Sequence, residues 1–150
     1  MRYINKSTTI DGITFASLAE GRRYQELKAL KLAHKIKNFE MQPRYLLQPA
    51  FRKCPACLHM QEHTPGSQKK HDVLCHECGI RTTVIESMEY VADFLVFHAD
   101  GTETVEDVKG SRGYMDPVFR IKQKLFEYKY PDKTIKIVIM PGRKKKCNGA

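Results

Sequence analysis

The 150-residue chain carries 26 Lys and Arg against 17 Asp and Glu, a formal charge of +9, with 41% hydrophobic and 29% charged residues. This composition supports one core with at most a small attached module, and it excludes a disordered chain, a fibrous chain and a pair of full catalytic domains. So large a positive excess concentrates polyanions, of which nucleic acid is the commonest, although basic residues also simply keep small proteins in solution.

No apolar run approaches the roughly 20 residues that a bilayer span requires, so no membrane partner is expected. The start, Met1-Arg2-Tyr3-Ile4-Asn5-Lys6, leads into no apolar signal core. That points to a reducing cytoplasm and to free thiols in place of disulfides.

In chain order, Ile10-Asp11-Gly12-Ile13 reads as a tight hairpin turn. Ser17 is a good helix N-cap, and Glu20, three residues on, completes a capping box. The spacing predicts a helix to about Lys35, with Glu20, Tyr24, Leu27, Leu30 and His34 sharing the inward face while Arg22, Lys28 and Lys35 point elsewhere. Residues 38–51 read as strand pieces made edge-like or bent by Pro43 and Pro49. Apolar periodicity then stops between Lys53 and Gly79, as in an inserted module.

Strand character returns at Thr82–Ile85 and strengthens over Tyr90–Phe97. A turn at His98–Gly101 leads to a partner strand, Thr102–Val108. A second helix is expected over Val118–Tyr130, packing through Phe119, Ile121, Leu125, Phe126 and Tyr128 and stopped by Pro131. A last strand spans Ile135–Met140, and a basic tail begins at Arg143. The expected organisation is therefore a core of 1–52 and 80–142, an insert of 53–79 and a tail of 143–150.

The insert holds two Cys-x-x-Cys pairs, Cys54/Cys57 and Cys75/Cys78, separated by 17 residues. That spacing fits a four-cysteine zinc ribbon, in which two tight turns present their thiolates to one tetrahedral ion. An all-sulfur site has no open coordination position and is expected to be structural. The nearby His59, His63, His71 and His76 are not needed as ligands, and Cys147 is given no role.

The second constellation is acidic. Alternation puts Val91, Asp93, Leu95 and Phe97 on one face of the first strand, and Val105, Asp107 and Lys109 on one face of the next. Pairing of the strands would bring Asp93, Asp107 and Lys109 together, where a hard cation such as magnesium would answer the cost of burying two carboxylates. Glu20 supplies a third acid or serves only as a helix cap. Glu106 is a rival acid facing the other side of its strand. The plain alternative is a surface Asp-Lys pair beside a strand-end Asp.

The order Glu20, Asp93, Asp107-Val108-Lys109 resembles the PD-(D/E)XK nuclease superfamily. More narrowly, Asp11-Gly12-Ile13 with Phe15, Glu20-Gly21-Arg22-Arg23-Tyr24-Gln25-Glu26-Leu27, Leu47-Gln48-Pro49, Ala92-Asp93-Phe94, Val105-Glu106-Asp107-Val108-Lys109-Gly110 and Lys124-Leu125-Phe126-Glu127-Tyr128-Lys129-Tyr130-Pro131 resemble a phage and prophage branch. That branch was long labelled a domain of unknown function and is associated with Holliday-junction resolvase-like endonucleases.

The resemblance implies an α/β (α+β) fold: a restriction-endonuclease-like mixed sheet flanked by helices and interrupted by the ribbon. It implies magnesium or manganese at Asp93, Asp107 and the Val108 carbonyl, Glu20 as an auxiliary acid, Lys109 orienting the attacking water, and no organic cofactor. It further implies cleavage of DNA, branched DNA included, by a homodimer in the cytoplasm of a bacterial host. Ala92 stands where the superfamily name has proline, and Asp107 replaces the more frequent glutamate. Arg120, Lys122 and Lys124, with Arg143, Lys144, Lys145 and Lys146, are candidate phosphate contacts. The alternative function is a non-catalytic zinc-ribbon protein that binds DNA or regulates.

Overall fold

The computed structural model describes residues 6–64, 66, 73–111 and 115–141. It is a mixed α+β structure with two helices among those residues. The chain divides into two compact units, one of Met1–Arg44 with Val91–Ala150 and one of Tyr45–Tyr90. The tail from 143 onward lies outside the described residues.

In the first unit, β1 (Thr8–Ile10) and β2 (Ile13–Phe15) form the expected hairpin, with Ile10 opposite Ile13. Asp11 and Gly12 turn the corner with φ of 53° and 77°. Both values lie in the left-handed region that a two-residue hairpin demands and that an Asp-Gly pair tolerates. Asp11 is then held by the Tyr24 hydroxyl and the Lys28 ammonium of α1 (Leu18–Leu32), tying the hairpin to the helix. Ser17 caps α1, which buries Ala19, Gly21, Tyr24 and Leu27. The helix ends before the expected Lys35, because His34 turns to a φ of 55° that no α-helix continues. His34 is therefore exposed and off the inward face.

α1 packs on a four-stranded sheet in the order β11 (Ile135–Ile139), β10 (Glu103–Lys109), β9 (Phe94–His98), β3 (Ile36–Met41). β10 and β11 run parallel, and the other pairs are antiparallel. β3 is the edge strand that the prolines foretell, ending at Met41 just before Gln42, whose φ is 51°, and Pro43. The core gathers Phe15, Tyr24 and Leu27 from the hairpin and helix against Ile36, Phe94, Val96 and Val108 of the sheet. A chain of rings, Phe15 to Tyr24 to Phe39 to Phe94, runs through it at centroid spacings of 5.1, 5.9 and 6.2 Å.

Two further expectations are corrected. The strand read over Tyr90–Phe97 is broken at Ala92-Asp93: β8 (Met88–Val91) pairs with β4 (Arg44–Gln48), while β9 starts at Phe94. Asp93 thus lies at the bend where the chain changes pairing partner, not within a strand. The helix α2 (Pro117–Lys129), capped by Asp116, buries only Phe119 and Phe126, leaving Ile121, Leu125 and Tyr128 exposed. At 100° per residue those three lie about 100° or more around the helix from the two buried rings, so one face cannot bury all five.

The second unit extends beyond 53–79 on both sides. It contains the β4/β8 pair, with Tyr45 and Tyr90 stacked at 6.4 Å, and a three-stranded antiparallel sheet. In that sheet β5 (Phe51–Lys53) lies between β6 (Met60–Glu62) and β7 (Thr83–Ile85). No helix among the described residues is long and apolar enough to cross a membrane.

One ion pair locks α1 to the sheet. Glu106 on β10 is 1% exposed and accepts from Arg23 Nε at 2.8 Å and Nη2 at 2.7 Å. Removing one partner of such a buried pair leaves an uncompensated charge. Arg23→Met is expected to lower stability by about 3–5 kcal/mol in urea unfolding, with most of the loss recovered by adding Glu106→Leu.

Candidate functional site

Three consecutive residues of β10 build the acidic site by alternating between the two faces of the strand. Glu106 turns to Arg23 of α1, and its backbone carbonyl accepts from the Asp93 amide at 3.1 Å. Asp107, on the opposite face, is 6% exposed and lies 2.6 Å from Lys109 Nζ. The Val108 side chain enters the core, while its amide donates to Asp93 Oδ2 at 2.6 Å. The Asp93 carbonyl accepts from the Gln42 amide at 3.0 Å, so the bend holding this carboxylate is pinned from both strands beside it.

Lys109 is placed by a second contact, its ammonium 4.9 Å from the centre of the Phe119 ring of α2. A buried carboxylate on one side and an aromatic face on the other hold the cation. Glu20 does cap its helix: Oε1 accepts from the Ser17 hydroxyl at 2.7 Å and Oε2 from the Ala16 amide at 3.2 Å. Its charge also contributes to raising the Asp93 carboxyl. Burial first, then the charges of Asp107 and Glu20, push the Asp93 carboxyl up to about 7 against the opposing pull of the Val108 amide and Lys109.

The structure therefore brings Asp93, Asp107, Val108 and Lys109 together, with Glu20 in electrostatic range. The three carboxylates do not close into a cluster of side-chain ligands; among the described residues only the four cysteines do so. One or two carboxylates with a backbone carbonyl and waters suffice for a hard cation such as Mg2+. On α2, Arg120 and Lys124 are exposed and Lys122 is half-buried, whereas Arg143 to Lys146 lie outside the described residues.

The second unit holds the other cluster. The Sγ atoms of Cys54, Cys57, Cys75 and Cys78 all lie within 4.8 Å of one another, with Cys54 to Cys78 at 3.4 Å and Cys57 to Cys75 at 3.5 Å. A tetrahedral ion with Zn–S bonds near 2.3 Å would have sulfur–sulfur edges of about 3.8 Å, so the four are positioned to hold a metal ion. The two turns repeat one geometry. The Cys54 and Cys75 amides donate to the carbonyls of His59 and Ile80, five residues on, and Leu58 and Gly79 adopt φ of 62° and 72°.

The backbone N–H of Cys57 is the main cause drawing the Cys54 thiol down to about 6. Cys57, despite donation from the His59 backbone, is pushed up to about 12 by burial and its neighbouring thiols. Four sulfurs this close cannot all ionise without a cation among them. Gln61 cross-braces the turns, donating to the Leu74 carbonyl and accepting from the His76 amide, both at 3.2 Å.

Sequence reasoning missed Arg23, Gln61 and the contact of Phe119 with Lys109. The Arg23–Glu26 pair at i,i+3 is visible in the sequence, but the partner that matters, Glu106, is 83 positions away.

The family profile described as "Protein of unknown function (DUF1064)" matches residues 1–145, and the chain belongs to that family. No curated protein and no solved structure matches the chain.

Two outcomes are expected. Because Asp93 titrates near 7 when folded and from the ordinary 3.8 when unfolded, its contribution to stability is complete below about pH 4 and lost as pH rises to about 7. In chelator, unfolding free energy should fall over that interval, and Asp93→Asn should remove that part of the slope. Separately, elemental analysis should find a thiolate-bound metal ion, and Cys57→Ser should release it and expose residues 45–90 to protease while the first unit stays resistant.

Proposed function

We propose that the first unit is a metal-dependent DNA endonuclease of the PD-(D/E)XK kind, its mixed sheet and flanking helices being the restriction-endonuclease-like core. The observation that carries the reading is the junction of Asp93, Asp107, Val108 and Lys109: two carboxylates with an ammonium beside them, the Asp93 carboxyl raised to about 7 by burial first and by the charge of Asp107 after it. The residues fit a hard cation, since Mg2+ or Mn2+ at Asp93, Asp107 and the Val108 carbonyl would relieve the repulsion that raises Asp93. Bound there, such an ion would lower the pKa of a coordinated water and polarise a phosphoryl oxygen.

The chain's own groups do the rest. Lys109, held by Phe119 and Asp107, orients the attacking water and balances the charge that builds on the phosphate. Glu20 contributes negative potential at the site while keeping α1 capped. The charge of +9 favours approach of a polyanion. Branched DNA is the substrate and a homodimer the assembly that the family resemblance implies. Zinc is the ion we assign to Cys54, Cys57, Cys75 and Cys78, where it would secure the fold of the second unit.

A second reading draws on the cap made by Glu20 and the Asp107–Lys109 ion pair, both of which purely structural acids would make. On that reading the protein binds DNA or regulates without catalysis, and its binding is salt-dependent with no turnover.

Incubation with four-way-junction and linear duplex DNA, with Mg2+, Mn2+ or chelator, separates the two. Cutting should require the metal and fall by about a thousandfold or more in Asp107→Ala, with DNA binding largely retained. Intact DNA under every metal condition would leave only the second reading.

A further inference from the structure

Three residues expected in the core, Ile121, Leu125 and Tyr128, lie outside it and with Val118 form a pattern of their own. Val118, Ile121, Leu125 and Tyr128 of α2 are 56%, 58%, 39% and 88% exposed. Their spacing, i, i+3, i+7 and i+10, is that of one stripe along a single helix face. The helix has 13 residues, so the stripe runs almost its whole length, on the side turned away from the buried Phe119 and Phe126. By helical position Lys122 and Lys129 border it on one flank and Lys124 on the other.

Those flanks decide what can cover it. A second copy would set lysines against lysines in either orientation, because both borders are basic and each chain carries +9. DNA phosphates would match the positive charge of the flanks but would leave four apolar side chains facing a charged, hydrated backbone. A protein segment with apolar residues at matching spacing, bordered by Asp and Glu, satisfies both parts at once.

We propose that the outer face of α2 is a docking surface for an acidic amphipathic helix of a partner protein, with Ile121 and Leu125 as its apolar centre and Lys122, Lys124 and Lys129 as its charged rim. This surface is independent of the acidic site and is tested without reference to cleavage.

The probe is a fluorescein-labelled synthetic helical peptide with Leu at i, i+3, i+7 and i+10 and Glu on both flanks. The control is a scrambled peptide of the same composition. Fluorescence anisotropy with the full chain, in chelator, should show the patterned peptide binding about tenfold more tightly than the scrambled one. Ile121→Ser with Leu125→Ser should abolish that preference, and Lys122→Glu with Lys124→Glu should weaken the patterned peptide by a similar factor. Circular dichroism melts check that these variants stay folded, which substitution at largely exposed positions permits. Equal binding of the two peptides would reduce the face to a charge patch and overturn the proposal. So would a dimer in sedimentation that Ile121→Ser dissolves, or loss of duplex-DNA affinity in the Ile121→Ser, Leu125→Ser variant.

Discussion

The fork of Arg23 on Glu106 fixes the parity of β10, and the acidic site follows from that parity. A carboxylate 1% exposed must be compensated, and the guanidinium of α1 compensates it with two hydrogen bonds. With Glu106 committed to α1, alternation leaves no choice for its neighbours: Asp107 and Lys109 take the other face, and Val108 returns to the core. A slip of one residue would place Asp107 against Arg23 and send Lys109 into the apolar core beside Phe94 and Val96. One buried ion pair therefore ties α1 to the sheet and sets the direction of each β10 side chain in the site.

Much of this was legible where the cause is local. The Asp11-Gly12 turn, the Ser17 cap, the pairing of 94–98 with 103–109 and the shared face of Asp107 and Lys109 all follow from residue chemistry within a few positions. The two Cys-x-x-Cys turns were legible for the same reason, and their thiols converge as the spacing requires. What depends on distant partners was not legible. The break at Ala92-Asp93 arises because the chain changes sheets there, held by Gln42 and Glu106, and nothing local distinguishes that apolar stretch from one continuous strand. On α2 the apolar residues surround more of the helix than one buried face can use, and composition alone does not tell which two are chosen. By sequence Glu106 rivals Asp107 as the acid of the site; what sets it apart is Arg23 opposite it, 83 positions away.

The two units are stabilised by different means. The first has an apolar core assembled from helix, hairpin and sheet. The second buries Arg52, Gln61 and Thr82 beside Cys54 and Cys75, with Thr82 passing a hydrogen bond to the Val73 carbonyl. A unit whose buried residues are so largely polar and thiol gains little from apolar burial, which is why a metal ion held by its cysteines would matter to its fold.

A titration of Mn2+ into 15N-labelled protein probes the acidic site most directly, because the paramagnetic ion broadens only the amides close to where it sits. A cation held by Asp93, Asp107 and Val108 predicts early broadening at Asp93, Val108 and Lys109, absent in Asp107→Asn. Broadening confined to the cysteine unit, or scattered over surface acids and unchanged by Asp107→Asn, would contradict it.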